Sequence, residues 1–248
     1  LEKHRSTIGY DAQEFSKTEL LPLRLWVERW NIYQAVISSN VQLNGSMVGD
    51  FGSGTGYYTR MLIDMGAARV IAIDTDPGMI GTARKESLLY NPLIKYENAP
   101  VENTSGRANC QLVLGTYLMN YPKTAEEAVL YCQAIASHLS PSGVFIGYMN
   151  NPFERAGGRQ YKQYGFWKEY GADLEGDYSG CWVDVHIDGM SSPIRNYHLF
   201  PEVYEWAFRE AGMSMQWREV ELHPGQKGNS YWDCFFEGMA PYKLIIAA

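Results

Sequence analysis

The sequence is poor in cysteine and in basic charge, and it has no long hydrophobic run. Its four cysteines, Cys110, Cys132, Cys181 and Cys234, are spread over 248 residues. With no Cys-x-x-Cys pair and no histidine at ligand spacing, they argue against structural zinc, so no metal is expected, and predict buried thiols in a reducing compartment. Lys and Arg number 21 against 28 Asp and Glu, a formal net charge of -7. A surface of that sign makes no general phosphate-binding face, so nucleic acid is not an expected partner, although a local basic patch stays open. No apolar stretch is long enough to span a bilayer, and no charged-then-apolar leader opens the chain. The expectation is a cytoplasmic protein that needs no membrane. Repeats and low-complexity tracts are absent. The chain opens on Leu1 rather than Met, which leaves its native start open.

Glycine and aromatic residues are plentiful, and their placement carries the information. Val48-Gly49-Asp50-Phe51-Gly52-Ser53-Gly54-Thr55-Gly56 reads as a strand ending in an acidic residue, three glycines at alternate positions, and then a helix. Glycines at such a turn let a ligand lie against the main chain beneath a helix N-terminus. A dinucleotide site wants Gly-x-Gly-x-x-Gly. Here the third glycine comes one place early and Tyr57 stands where it would be, so the pyrophosphate reading weakens. Arg69 to Asp74 reads as a second buried parallel strand ending in a carboxylate. Asp74 is placed to accept from both hydroxyls of a ribose; its other reading is a helix N-cap, since Asp74, Thr75 and Asp76 precede Pro77 and a helical run to about Leu89. Cys110 to Leu114 reads as a core strand breaking at Gly115, and Pro141-Ser142-Gly143 as a turn before a strand from Val144 to Tyr148.

The length suits one α/β domain with a substrate-side insertion. Residues 1–44 read as a helical cap in which Leu23, Trp26, Val27, Trp30, Tyr33 and Ile37 form one mostly buried stripe. Residues 45–149 alternate strand and helix, with helices over Tyr57–Met65 and Lys123–Leu139. From 150 to 200 the pattern changes: aromatics crowd a glycine-rich stretch, and Cys181–Ile187 and Pro193–His198 alternate like paired strands, which predicts a lid. Within 201–248 come a helix from Pro201 to Ala211, a strand from Met213 to Leu222, and a short apolar tail from Lys243 to Ala247.

Asp50-Phe51-Gly52-Ser53-Gly54-Thr55-Gly56 resembles motif I of the class I S-adenosylmethionine-dependent methyltransferases. Asp74, the strand that breaks at Gly115, and the fifth strand follow in that family's order. The resemblance implies a Rossmann-like seven-stranded mixed sheet with helices on both faces, the last strand inserted antiparallel beside the fifth. It also implies S-adenosylmethionine as cofactor and S-adenosylhomocysteine as product. Further stretches look like a small-molecule branch that includes the toxoflavin-pathway N-methyltransferase: Tyr10-Asp11 with Phe15 and Pro22-Leu23-Arg24; Gly56-Tyr57-Tyr58-Thr59-Arg60; Tyr117-Leu118-Met119-Asn120-Tyr121; Asn150-Asn151-Pro152; and Asn196-Tyr197-His198. By resemblance the cofactor residues are Tyr10, Arg24, Asp50, Gly52, Gly54, Gly56, Tyr57, Asp74, Thr75, Met79, Asn98, Ala99, Gly115, Thr116 and Tyr117. Two positions depart from the family: Asn98-Ala99 stands for the usual Asp-Ala, and Gln111 for the acid that opens motif IV.

The expected reaction is methylation of a small metabolite, in the first instance on nitrogen of a planar heterocycle. O- or S-methylation, a protein or RNA substrate, and a non-catalytic cofactor-binding subunit are the alternatives. Positioning is the largest lever in such a transfer, and a lone-pair nitrogen needs no base. His198 is the candidate base, against a structural histidine, with His186 and Asp184 as weaker versions of the same idea. Tyr121, Trp182, Tyr197, His198 and Trp232 are the candidate substrate residues, each with core packing or a structural role as its alternative. Arg24 either pairs with the methionine carboxylate or lies on a solvated helix face. Asn150-Asn151-Pro152-Phe153 resembles the Asn-Pro-Pro-Tyr motif of amino methyltransferases, but it follows the fifth strand rather than the fourth and is read as a decoy.

Overall fold

Strand-forming apolar runs separated by helices with one apolar face can bury both only by layering, and the computed structural model shows that layering. It describes residues 11–104, 108–154, 161–171 and 180–248. In chain order the elements are α1 (Ala12–Lys17), α2 (Arg29–Ser38), β1 (Met47–Phe51), α3 (Tyr57–Asp64), β2 (Arg69–Asp74), α4 (Pro77–Glu86), β3 (Ile94–Asn98), β4 (Cys110–Thr116), α5 (Ala125–His138) and β5 (Leu139–Asn150). Then come β6 (Phe166–Tyr170), β7 (Cys181–Ile187), β8 (Ile194–His198), α6 (Pro201–Glu210), β9 (Met215–Glu219), α7 (Asp233–Phe236) and β10 (Tyr242–Ala247).

Seven strands form one mixed sheet in the order β3-β2-β1-β4-β5-β10-β9. β1 to β5 run parallel, and β10 lies antiparallel between β5 and β9, as expected of the apolar tail. Val48, Val70, Leu112, Leu114 and Ile146 face α2 and α3 on one side, while Phe51, Ile73, Val113 and Phe145 face α5 and α6 on the other. Chain order reverses between β1 and β4, so the crevice at their C-terminal ends is where such a sheet accepts a ligand. β6, β7 and β8 form a separate antiparallel sheet of three strands; β6 arises from the aromatic, glycine-rich stretch whose sequence signals no strand.

Several expectations need correction. Leu23, Val27, Ile32, Ala35 and Val36 make the buried face of the cap, whereas Tyr33 is 39% and Ile37 51% exposed. The cause is a π-helical turn over Arg24–Glu28, where the Arg29 amide reaches the Arg24 carbonyl. The extra residue rotates every later side chain around the axis. Asn31 completes that face by exchanging hydrogen bonds with the backbone of Glu221. α4 stops at Glu86, α5 gives way to extended backbone at Leu139, and Pro141-Ser142-Gly143 lies within β5 at a register shift against β4. The strand expected from Met213 to Leu222 is confined to β9. Cys110 and Cys132 are buried as expected, but Cys181 is half-buried and Cys234 exposed. No described helix is long and apolar enough to cross a membrane.

Candidate active site

The loop after β1 is held by the end of β2. Gly52 and Ser53 donate their amides to the Ile73 carbonyl at 2.8 and 2.9 Å. The Gly54 amide donates to Asp74 Oδ2 at 2.7 Å. Gly54 has φ +52°, and a Cβ there would meet only Phe15, at 3.6 Å. Its left-handed backbone, rather than crowding by protein, is what demands glycine. Gly56 differs: a Cβ would lie 2.9 Å from Tyr96 Oη and 3.1 Å from Ala83 Cβ, so this glycine lets α3 pack against α4 and β3.

Asp74 is not the helix cap. Asp76 caps α4, accepting from the Gly78 and Met79 amides at 2.7 and 2.9 Å. Asp74 accepts from Gly54 through Oδ2 and from the Asp76 amide through Oδ1 at 2.9 Å, and burial pushes its pKa up to about 6. Each carboxylate oxygen keeps a further lone pair, which is what a ribose diol requires. The departure at Asn98 has a physical reading: its Nδ2 donates to the Asp74 carbonyl at 2.9 Å, beside the Ala99 amide at 3.1 Å, a bond an aspartate could not make. Met79 is buried and Thr75 half-buried beside them. Asp50 is buried beneath the loop, where burial raises its pKa to about 7 and Thr59 Oγ1 donates to it at 2.5 Å. It braces α3 on β1.

A second buried cluster joins the cap to the end of β4. Glu28 is 1% exposed, with Tyr58 Oη donating to Oε1 at 2.6 Å and Tyr117 Oη to Oε2. Arg24 Nε lies 3.8 Å from Glu28 Oε1, and its guanidinium sits 4.6 Å from the Phe15 ring centre. Arg24 is therefore buried, and the solvated-face reading falls. Tyr117 adopts φ +61°, uncommon for a bulky residue, and its amide donates to the Tyr148 carbonyl at 2.6 Å. Backbone strain of this kind concentrates at functional sites. Glu28 was missed by sequence reasoning; its one signal was its position four residues after Arg24 on a helix. Tyr57 is half-buried at the start of α3. Gly115 lacks room for a side chain because Phe145 would lie 2.8 Å from its Cβ, so packing demands that glycine.

The three-stranded sheet has two unlike faces. Val183 pairs with Asn196 and Val185 with Ile194, and these face the core beside Tyr148 and Tyr242. His198, two residues after Asn196, shares that inner face. Burial and the Lys168 ammonium hold its pKa below the usual histidine range. Trp182 pairs with Tyr197 on the opposite face, where Arg195 stacks 4.3 Å from the Trp182 ring and Lys123 Nζ lies 5.4 Å from the Tyr197 ring. Strand alternation thus removes both from the inner wall expected of them. His186 and Asp184 share the outer face, His186 stacked on Trp167 and Asp184 paired with Arg195. Trp232 is core: it is 2% exposed and stacked on Tyr164. Tyr121 is half-buried just after the turn Leu118–Asn120 that follows β4. Tyr10 lies outside the described residues. Asn151 donates to the Ala240 carbonyl at 2.6 Å, a structural bond in keeping with the decoy reading.

Four buried polar atoms near these strand ends have no hydrogen-bond partner among the described residues: Ser53 Oγ, Thr116 Oγ1, Tyr148 Oη and Asn196 Nδ2. Buried polar groups are normally paired, so such a group asks for a ligand or a water. Ser53 in the glycine loop and Asp74 with unused lone pairs fit the polar parts of an adenosyl amino acid. A cleft of about 630 Å3 includes Trp232 but no residue of the loop after β1, so polar chemistry rather than open volume marks the site. Among the described residues no three His, Cys, Asp or Glu side chains group as a metal site.

Residues 48–143 match a family model described as a methyltransferase domain. A search of curated proteins finds no match. Among solved structures the chain is similar to an S-adenosylmethionine-dependent methyltransferase from Clostridium acetobutylicum, at TM-score 0.66 and 14% identity over 95% of this chain and 97% of that one. It is also similar to one from Mesorhizobium loti, at TM-score 0.63 and 18% identity over 87% and 96%. A third likeness is to DhpI in complex with SAM and HEP, at TM-score 0.58 and 15% identity over 96% and 92%. With the strand order, these matches identify a class I methyltransferase fold. In all, 1288 solved chains match this one, so the fold alone assigns no substrate.

Proposed function

We propose that this protein is an S-adenosylmethionine-dependent methyltransferase that acts on a small molecule, in the first instance on nitrogen of a planar heterocycle, with residues 150–200 as the lid over its acceptor site. The observation that carries the reading is the contact of Asn196, on the inner face of the small sheet, with Asn150 at 3.2 Å and Asn120 at 3.5 Å. That contact lies at the C-terminal ends of β4 and β5, the side where a class I sheet receives its acceptor, and it supports a covered site, which suits a compact molecule. The net charge of -7 agrees with a partner other than nucleic acid.

When bound, S-adenosylmethionine supplies an electrophilic methyl carbon on a sulfonium, and S-adenosylhomocysteine is the product. Asp74 would hold the ribose hydroxyls, Asn98 and Ala99 the adenine edge, and Gly52, Gly54 and Ser53 the amino-acid part. Thr116 and Tyr117 lie at the end of β4 beside the reacting centre in this reading, and Arg24, which meets Glu28 through Nε, would offer its remaining guanidinium donors to the carboxylate. The chain's own contribution is to align the acceptor lone pair behind the methyl carbon and to keep water out. Orientation of that kind supplies about 7–11 kcal/mol, whereas a general base supplies about 10²–10⁴-fold. His198 stands on the inner face with a lowered pKa, ready to take a proton where the acceptor carries one to lose.

The test is to incubate the protein with methyl-labelled S-adenosylmethionine and metabolite extract and to read products by mass spectrometry. Label in a small nitrogen heterocycle is the expected result. Label confined to protein or RNA, or no label at all, overturns the reading.

A further inference from the structure

Three asparagines meet where the small sheet touches the strand ends. The Asn150 amide donates to Asn120 Oδ1 at 3.1 Å. A backbone N–H can only donate, so Asn120 is oriented: its carbonyl faces Asn150 and its Nδ2 faces Asn196. That Nδ2 donates to Asn196 Oδ1 at 3.5 Å, and Asn150 Nδ2 donates to the same oxygen at 3.2 Å. The carbonyl of Asn196 therefore accepts twice, and its own Nδ2 is turned away from both donors. Asn196 is 4% exposed, and this Nδ2 has no partner among the described residues.

We infer that the side-chain amide of Asn196, oriented by Asn120 and Asn150, is the donor that recognises a lone-pair-bearing group on the methyl acceptor. The inference rests on the small-molecule reading above. An amide nitrogen can only donate, so the group it meets is a carbonyl oxygen or an unprotonated ring nitrogen, not an ammonium or an N–H. The surroundings extend the same patch. Thr116 pairs with Tyr148 in the β4–β5 register, and both carry buried hydroxyls without partners among the described residues. Asn150 follows Tyr148 on the same face of β5. Hydroxyls can donate or accept, so Asn196 is the member that sets polarity. A site that buries a donor discriminates strongly against a ligand unable to satisfy it, because the donor is then left unpaired.

Asn196→Asp preserves the two bonds that Oδ1 receives and replaces only the outward N–H group. Asn120→Asp leaves Asn196 in place but puts an oxygen against its carbonyl, which turns the Asn196 amide around. The probes are matched lactam and amine pairs, oxindole against indoline and dihydroquinolin-2-one against tetrahydroquinoline. Their binding to S-adenosylhomocysteine-saturated protein is read by ligand-observed NMR at about pH 8. The wild type should prefer each lactam by about tenfold or more, the range expected for satisfying one buried donor. Both variants should lose that preference to within about twofold while keeping S-adenosylhomocysteine affinity, which reports that they are folded. A preference that survives in either folded variant, or a wild type that shows none, overturns the assignment. If Asn196→Asp does not fold, Asn120→Asp decides. The labelled-extract experiment is independent: small-molecule label with an unchanged lactam preference in the variants removes the role of Asn196 alone, whereas absent label with a preference that responds removes the small-molecule reading.

Discussion

The Gly54 amide donates to Asp74 Oδ2 at 2.7 Å, so the turn after β1 and the end of β2 form one unit. A carboxylate in this place shapes the loop, and in the function proposed above its remaining lone pairs would meet the ribose diol. Asp74→Ala should therefore weaken S-adenosylhomocysteine by at least about 1.5 kcal/mol, the value of losing charge-assisted hydrogen bonds. Titration calorimetry checks it. Unchanged affinity in a folded variant would remove the ribose assignment.

Gly54 separates shape from strain. Its φ is +52°, and only Phe15 lies within 4 Å of where a Cβ would stand, so Gly54→Ala meets no protein atom that must move. The variant should fold, at a cost of about 1–2 kcal/mol for a left-handed alanine. S-adenosylhomocysteine binding should nevertheless be lost, because the methyl group would occupy space the ligand needs. Chemical denaturation and calorimetry on the same sample give both numbers; normal binding would place the cofactor elsewhere.

Burial raises Asp74 to about 6 and Asp50 to about 7, both above the ordinary value of 3.8. A carboxyl whose folded pKa lies above its unfolded one binds protons more tightly in the folded state. Its contribution is therefore full below the unfolded pKa and is lost as pH rises through the folded one. The ligand-free thermal midpoint should receive a falling contribution from these two groups between about pH 4 and pH 7. Cofactor affinity should move the other way if an ionised Asp74 accepts the ribose hydroxyls, so the midpoint shift caused by S-adenosylhomocysteine should grow from pH 5 to pH 7. Asp74→Asn should flatten that growth. A shift independent of pH in the parent protein would show that the ligand does not distinguish the two forms of Asp74, and one that shrinks would show that it prefers the neutral form.

Much of this site was legible in sequence because it depends on backbone. Three glycines at alternate positions and a strand ending at Asp74 declare a turn and its partner, and strand order follows from alternation of element types. The candidate substrate residues of the small sheet depend on which way strands face, and there the sequence misleads. Trp182 and Tyr197 lie one residue out of phase with Val183 and Asn196 and so point outward. Glu28 was hidden for a related reason: one π-helical turn rotates the cap and buries a carboxylate that periodicity assigns to the surface.

Arg24 and Glu28 should behave as a pair. Removing one partner of a buried ion pair strands the other charge, at about 3–5 kcal/mol, while replacing both with apolar groups costs less. Glu28→Met and Arg24→Met should each destabilise by that order, with the double variant less affected than their sum. Denaturant melts of the three proteins test it. Strict additivity would show that the 3.8 Å contact is incidental. A loss of S-adenosylhomocysteine affinity in Arg24→Met, measured in a folded sample, would assign Arg24 to the cofactor carboxylate as well.

The small sheet allows a division between its faces. Trp182 and Tyr197 stack against Arg195 and Lys123 on the outer face, so Trp182→Ala and Tyr197→Ala should leave acceptor turnover within about threefold. His198 stands on the inner face two residues from Asn196, and its pKa is held down by burial and by Lys168, so it is neutral at pH 7 and able to take a proton. Ability is not need. An acceptor nitrogen with a free lone pair loses no proton before the methyl carbon is transferred, and the rate then rests on alignment. His198→Ala should in that case lower kcat by less than about tenfold, with no recovery at high pH, because no base has been removed. A loss of about 10²-fold or more, partly restored as pH rises and the acceptor ionises unaided, would make His198 the base and move the acceptor toward an alcohol, a thiol or an N–H acid. The pH dependence decides, since a merely structural histidine would lower the rate equally at every pH.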